Sequence, residues 1–507
     1  MKNTLLIVLV LLVLSCKNEN KMVLDEGGSK PNVLFIAIDD LNNMISPIAN
    51  FSNIKTPNFD RLAAMGVTFT DAHCPAPLCG PSRAAIMTGL RPSTTGIYGM
   101  TPDNKIRRDG NEATKDIIFL PEYFKKNGYH TMGIGKLFHN YAPDGMFDEA
   151  GGRVKGFGPF PEKRFVWDGF GTSKSRKGKY GRTNTDWGAF PESDTLMPDH
   201  QAVNWVLERF NKNYKQPFFL ALGFQRPHVP LYVPQKWFDL YPLENIQTPP
   251  YQSDDLNDIP LVGLKINDLP MMPSTEWAIN SGEWKKIIQA YLACVSFVDY
   301  ELGRVLDALE SSPYAKNTII VLWSDHGYRL GEKGTFAKHA LWETATKAPL
   351  FFAGPNLPKG KKIDTPVEML SIYPTLLELS GLQAYARNEA KSLVGMMQMN
   401  KGLKDDYAIT TYGKNNHAVK VDGYRYIQYE DGTEEFYDHA SDPNEWFNEA
   451  DNLKFKSKIE ALKALLPKTN ARWDAESNYT FQPYFVEQKA RGNVDAVKAI
   501  KVFGAER

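Results

Sequence analysis

Two stretches of the chain are apolar almost without interruption and end in carboxylates. Asn32 to Ile38 runs into Asp39-Asp40, and Asn317 to Trp323 runs into Ser324-Asp325-His326-Gly327. Runs of this length without alternation predict strands buried on both faces, as in a parallel sheet. Phe218 to Gly223 and Tyr129 to Gly135 predict two more strands. Helical patterns fall between them: Thr56 to Gly66, opened by Thr56-Pro57; Ile118 to Asn127, stopped by Gly128; and Glu283 to Ser311, which carries Cys294. Strands alternating with helices predict an α/β fold with a large, mostly parallel central sheet sandwiched by helices. Carboxylates just past the C-terminal ends of such strands sit where open α/β sheets place their ligands.

Two stretches break this rhythm. Residues 140–200 are rich in Gly, Lys, Arg, Phe and Trp, and residues 236–282 in Pro, Asp and Trp. Both read as long surface excursions near the carboxyl edge of the sheet. After residue 400 the pattern changes again. Gly423 to Tyr429, Asp431-Gly432 and Glu434 to Tyr437 predict a hairpin with an Asp-Gly turn, and Lys454 to Leu466 a terminal helix. The expected organisation is a catalytic domain over 31–400 and a smaller α+β subdomain over 401–507.

The N-terminus differs from both. Leu5 to Leu14 is an apolar run behind Lys2, too short to span a bilayer as a helix but suited to a signal-peptide core. Residues 1–15 are therefore expected to be a leader. Val13-Leu14-Ser15-Cys16 resembles a bacterial lipobox, which implies export and a lipid on Cys16 that anchors the protein to a bacterial membrane, on the periplasmic side or at the cell surface. A plain secretory signal is the alternative. Residues 16–30 are polar and read as a tether.

Composition narrows the function. The 507 residues carry 59 Lys+Arg against 59 Asp+Glu, a net charge of zero that disfavours nucleic-acid binding. Four cysteines, Cys16, Cys74, Cys79 and Cys294, make no disulfide framework. Three carboxylates at two strand ends would repel unless a cation gathers them, and oxygen-rich ligand sets suit Ca²⁺ or Mg²⁺. Taken alone, Asp39-Asp40 and Asp325-His326 could equally be helix caps or turns, and Cys79 a buried core cysteine.

The segment Cys79-Gly80-Pro81-Ser82-Arg83, with Thr88-Gly89 five residues after Arg83, resembles the signature of type I sulfatases in the alkaline-phosphatase-like superfamily. Further elements follow in the family's order: Asp39-Asp40, Gly135-Lys136-Leu137-Phe138-His139, Arg226-Pro227-His228-Val229-Pro230, Ser324-Asp325-His326-Gly327 and Lys338. The similarity is nearest to iduronate-2-sulfatase-like members and covers about residues 31–450.

The resemblance implies that a formylglycine-generating enzyme oxidises Cys79 to formylglycine, which hydrates to a geminal diol. It implies one Ca²⁺ among Asp39, Asp40, Asp325, His326 and the modified Cys79. Many members have Asn at the position of His326; iduronate-type relatives share the His. By the same resemblance Arg83 and Lys136 hold the diol, Lys338 and His228 grip the sulfate, and His139 takes the proton that expels it. A histidine suits proton transfer near neutral pH, and fixed cations suit a charge-rich transition state.

The expected function is hydrolysis of sulfate esters on a polysaccharide or its oligosaccharides, with ulvan, an algal polymer of sulfated rhamnose and uronic acids, as the leading substrate. The alternatives are a phosphonate or phosphodiester hydrolase of the same superfamily and an inactive glycan-binding lipoprotein. Trp167, Trp187, Trp237, Trp277 and Trp284 are candidates for sugar stacking or for core packing.

Overall fold

The structure is a computed structural model that describes residues 30–49, 54–154, 156–167, 184–269, 271–399 and 406–492. The leader, Cys16 and the tether up to residue 29 lie outside the described residues. Among those described, no helix is long and apolar enough to cross a membrane.

An eight-stranded sheet carries the molecule. Its strands are β1 (Asn32–Asp39), β2 (Gly66–Phe69), β3 (His130–Gly135), β4 (Glu149–Gly152), β5 (Phe218–Pro227), β6 (Thr318–Ser324), β7 (Leu350–Ala353) and β8 (Lys361–Ile363), in the order β8-β2-β7-β6-β1-β5-β3-β4. Strands β6, β1, β5, β3 and β4 run parallel to one another, as do β8 and β2, whereas β7 is antiparallel to both β6 and β2. The sheet is thus large and mostly parallel, as the apolar runs predict.

The alternation of β1 explains why its sequence shows no alternation. Leu34, Ile36 and Ile38 enter one core, and Val33, Phe35 and Ala37 enter the other. Both faces are dry, so both sets of positions are apolar. Helices α1 (Pro57–Met65) and α5 (Trp284–Glu310) pack on the first face; α2 (Cys79–Thr88), α3 (Leu120–Lys126) and α6 (Ile372–Leu379) on the second; α4 (Pro198–Phe210) joins the first.

A separate antiparallel sheet lies towards the C-terminus, formed by β9 (Ala408–Thr411), β10 (His417–Val421), β11 (Tyr424–Gln428) and β12 (Glu434–Asp438). The expected hairpin is its second half, with the Asp431-Gly432 turn in place. The helix expected over 454–466 is α7 (Lys456–Lys463), and it is not terminal: the chain continues to α8 (Pro483–Gly492). Strand β5 also runs four residues past the expected Gly223.

Parallel order fixes the geography of the site. Strands β6, β1, β5 and β3 are adjacent, so their C-terminal ends share one edge. Asp325, Asp39, His228 and Lys136 follow or end those four strands.

Candidate active site

Strand β1 ends at Asp39, and Asp40 turns the chain with φ 60°, a left-handed conformation that costs a non-glycine residue free energy and concentrates at functional sites. The turn is held from two sides: Asp40 N donates to Asp325 Oδ1 at 3.1 Å, and Asp40 O accepts from Tyr291 Oη at 2.7 Å. Asp325 is tied back in turn, its N to Ile38 O at 3.2 Å and its O to Ser82 Oγ at 2.6 Å.

Cys79 opens α2, a helix whose ten residues are all buried. The helix stops at Gly89, whose φ of 74° is the left-handed cap that glycine favours, so the Thr-Gly pair of the motif has a structural use. Arg83, one turn on from Cys79, is wholly engaged: Nε donates to Asp325 Oδ2 at 2.8 Å, Nη2 to Asp39 Oδ1 at 3.5 Å, and Nη1 to the Lys136 carbonyl. Lys136 pairs with Asp39, and Lys338 Nζ reaches both carboxylate oxygens of Asp40 at 2.8 Å.

Asp39, Asp40 and Asp325 therefore face Arg83, Lys136 and Lys338. All six are buried, and their formal charges cancel. Burial pushes Asp39 up, yet the pull of Lys136 and its neighbours outweighs it and holds the carboxylate well below its usual range. Burial wins at Asp40, which sits beside two other carboxylates and is raised. The Cys79 thiol is pushed well up by burial and then by Asp39. A thiol so placed is a poor thiolate, hence a poor nucleophile in its unmodified form.

The three histidines are differently set. His326 Nδ1 contacts Gly327 O at 2.9 Å; a carbonyl only accepts, so in the neutral ring Nδ1 carries the proton and Nε2 presents a lone pair. That Nε2 lies 3.3 Å from Cys79 Sγ and 3.5 Å from both Asp40 Oδ1 and Asp325 Oδ1. His228 repeats the pattern: Nδ1 donates to Val229 O at 2.6 Å while Nε2 stands 3.9 Å from Asp40 Oδ2. Burial and then Lys338 hold His228 well below the usual histidine range. His139 is pushed down to about 3, by burial first and then by Lys136 and Arg153.

These groups fit a hard cation. Two sets of ligand atoms lie within 4.8 Å of one another: Asp39, Asp40, Cys79 and His228, and Asp39, Cys79, Asp325 and His326. Carboxylate oxygens and imidazole lone pairs that converge around one point, even with three cations beside them, suit a hard divalent ion. The structure thus brings Asp39, Asp40, Cys79, Arg83, Lys136, His228, Asp325, His326 and Lys338 together, with His139 beside Lys136.

Two residues that the sequence did not single out join them. Phe157 stacks on His228 with centroids 4.4 Å apart, and Arg153 lies over the same ring, its Cζ 4.6 Å from the centroid. Both belong to the glycine-rich excursion after β4, whose composition marked it as a surface excursion near the carboxyl edge but did not say which side chains would turn inward. The five tryptophans pack instead against the core. Trp187 is buried and the rest are partly buried, with Trp167 and Trp187 both on Trp277. Cys74, Cys79 and Cys294 are free and buried.

Comparison with known proteins agrees with this geometry. Residues 31–382 match the family model described as Sulfatase, and residues 331–472 match that of the N-sulphoglucosamine sulphohydrolase C-terminal region. The chain belongs to the sulfatase family and is a sulfuric ester hydrolase; the family generally works with a formylglycine and a metal ion. It is 90% identical, over 100% of both chains, to a sulfatase of Formosa agariphila. It is 30% identical to human iduronate 2-sulfatase over 70% of each chain. A solved structure of a protein in complex with its substrate D-glucosamine-2-N,6-O-disulfate shares the fold, with a TM-score of 0.64 at 21% identity over 86% of this chain and 97% of that one.

Proposed function

We propose that this sulfatase is exported and lipid-anchored and removes sulfate from a polysaccharide or its oligosaccharides, with ulvan as the leading substrate. A formylglycine-generating enzyme would convert Cys79, and Asp39, Asp40, Asp325, His326 and the modified Cys79 would hold one calcium ion. One observation carries the proposal: three buried cations and an acceptor-lined pocket meet at Cys79. Their charges cancel as they stand, so a divalent cation on the carboxylates leaves a positive surplus, which is what a sulfate ester requires.

Hydrated formylglycine supplies two hydroxyls, one to attack sulfur and one whose deprotonation restores the aldehyde as sulfate leaves. A calcium ion held by Asp39, Asp40, Asp325 and His326 would supply Lewis-acid activation. The chain's own residues do the rest. Arg83 is fixed by Asp325 and Asp39, so its charge stays one helical turn from the reacting residue and offsets negative charge there. Lys338 and His228 both face Asp40 and would grip the sulfate there. His139 stays neutral, so its ring can accept a proton, and an incoming anion raises its basicity.

Kinship with iduronate 2-sulfatase supports a sulfated sugar in or beside a uronic acid, and ulvan joins sulfated rhamnose to uronic acids. Mass spectrometry of the Cys79 peptide from protein made in its native host tests the chemistry. The expected species is the aldehyde, with 4-nitrophenyl sulfate turned over faster than 4-nitrophenyl phosphate. An unmodified thiol in active enzyme, or a phosphate preference, would overturn it. For the anchor, labelled fatty acid should enter the protein and be lost in Cys16→Ala; label that persists there, or none in the parent, refutes lipidation.

A further inference from the structure

We infer that Arg153 forms a second anion subsite beside the sulfate grip, taking a carboxylate or a second sulfate on the saccharide whose ester is cut. The inference deepens the proposed polysaccharide activity and rests on it.

Arg153 follows directly on β4, at the edge of the sheet. Its Nη1 donates to His139 O at 2.6 Å and reaches Asn140 Oδ1 at 3.4 Å, which fixes the plane of the guanidinium. The edge formed by Nε and Nη2 is shielded and has no hydrogen-bond partner. These two donors point the same way and make the fork that matches the paired oxygens of a carboxylate or a sulfate. Among the described residues, Arg153 is the one arginine whose Nε and Nη2 are both shielded and unpaired. Arg83, close by, has spent all three nitrogens within the protein.

Among the described residues, neither carboxylate whose charge bears on Arg153 is free to answer it. Of the carboxylates whose charge it feels, Asp39 is taken by Lys136 and Arg83, and Asp103 accepts from the backbone amides of His139, Asn140 and Tyr141 at 3.1, 2.7 and 3.0 Å. The position is also right. One ring, Phe157, has Arg153 Cζ at 4.6 Å, Lys136 Nζ at 4.8 Å and the His228 ring at 4.4 Å. The unpaired fork is thus one aromatic ring away from the sulfate-binding groups. Tyr141, on the same Asp103 turn, is 70% exposed.

The test compares wild type, Arg153→Gln and Arg153→Lys on three substrates. These are 4-nitrophenyl sulfate, ulvan oligosaccharides, and the same oligosaccharides after chemical reduction of their carboxyl groups. Arg153→Gln should raise KM for the native oligosaccharide about tenfold more than KM for the aryl sulfate, with Arg153→Lys between them. This ratio does not depend on how much enzyme is folded. If carboxyl reduction of the substrate removes the difference, the anion is a carboxylate; if the difference persists, it is a second sulfate. A ratio unchanged by both variants, or an equal loss on aryl sulfate and saccharide, would overturn the subsite. Wild type active on aryl sulfate but on no oligosaccharide would refute the polysaccharide reading. In that case the subsite is read from inhibition of aryl-sulfate hydrolysis by glucuronate against glucose, and equal inhibition in wild type and Arg153→Gln sinks it.

Discussion

Lys136 shows how a single side chain serves both folding and chemistry. It pairs with Asp39 in a fully buried setting, and its carbonyl accepts from Arg83. Removing one partner of a buried ion pair leaves the other charge stranded, a loss of about 3–5 kcal/mol. Removing a cation aimed at a charge-rich transition state costs about 10²–10³ in kcat. Lys136→Ala should therefore lose both stability and turnover. The double variant Asp39→Asn/Lys136→Met separates the two effects, because it takes out the stranded charge as well. Its melting temperature should recover most of the loss, as read by calorimetry, while aryl-sulfate turnover stays low. Because Asp39 would itself hold the ion, that turnover is compared with Asp39→Asn alone, and equal turnover in the two would show that Lys136 acts only in folding.

At the scale of elements, what the sequence revealed follows from burial. Strands β1 and β6 are buried on both faces, so continuous apolar runs betray them, and the acids that end them fall at the carboxyl edge. Strand β7 is four residues between Pro349 and Gly354, antiparallel to its neighbours, and too short to carry a period. Strands β9 and β10 mix Thr, His and Lys with apolar positions, and Tyr412 to Asn416 between them holds no strong hairpin dipeptide. The site divides the same way. Cys79, Arg83 and the acids stand in motifs whose order along the chain is fixed by strand ends and one helix. Arg153 and Phe157 reach the centre only because β4 pairs with β3, which turns the following excursion inward. Pairing of an edge strand with its neighbour leaves no local mark in a sequence. One close approach is legible afterwards in two glycines: Gly135 and Gly223 lie side by side on β3 and β5, and a Cβ on Gly223 would strike the backbone of Lys136.

At the scale of the molecule, the last stretch of chain returns to the catalytic centre. Ala471 N donates to Ser93 O at 2.7 Å, Asp474 N to Gly96 O at 2.9 Å, and Met100 and Asn478 bridge in both directions at 2.7 and 2.9 Å. Asp474 also accepts from Arg108 Nη2 at 2.7 Å and Asn111 Nδ2 at 2.8 Å. Met100 packs against Gly80, next to Cys79, and Tyr479 bonds His339, next to Lys338. Leu78, Tyr98, Trp473, Tyr479 and Phe485 share one apolar cluster. Residues after 472 lie beyond both matched family regions, yet they brace the start of α2 and the loop of Lys338. Asp474→Ala removes the anchor of this brace and leaves Arg108 without its carboxylate, at a cost of about 1–3 kcal/mol. The variant should cleave faster under limited proteolysis near residue 474, and its kcat/KM on 4-nitrophenyl sulfate should fall about tenfold, because small displacements of positioning groups are expensive in catalysis. A chain ended at residue 470 should lose more of both. Wild-type turnover in either form would show that the tail only covers the site and does not hold it in place.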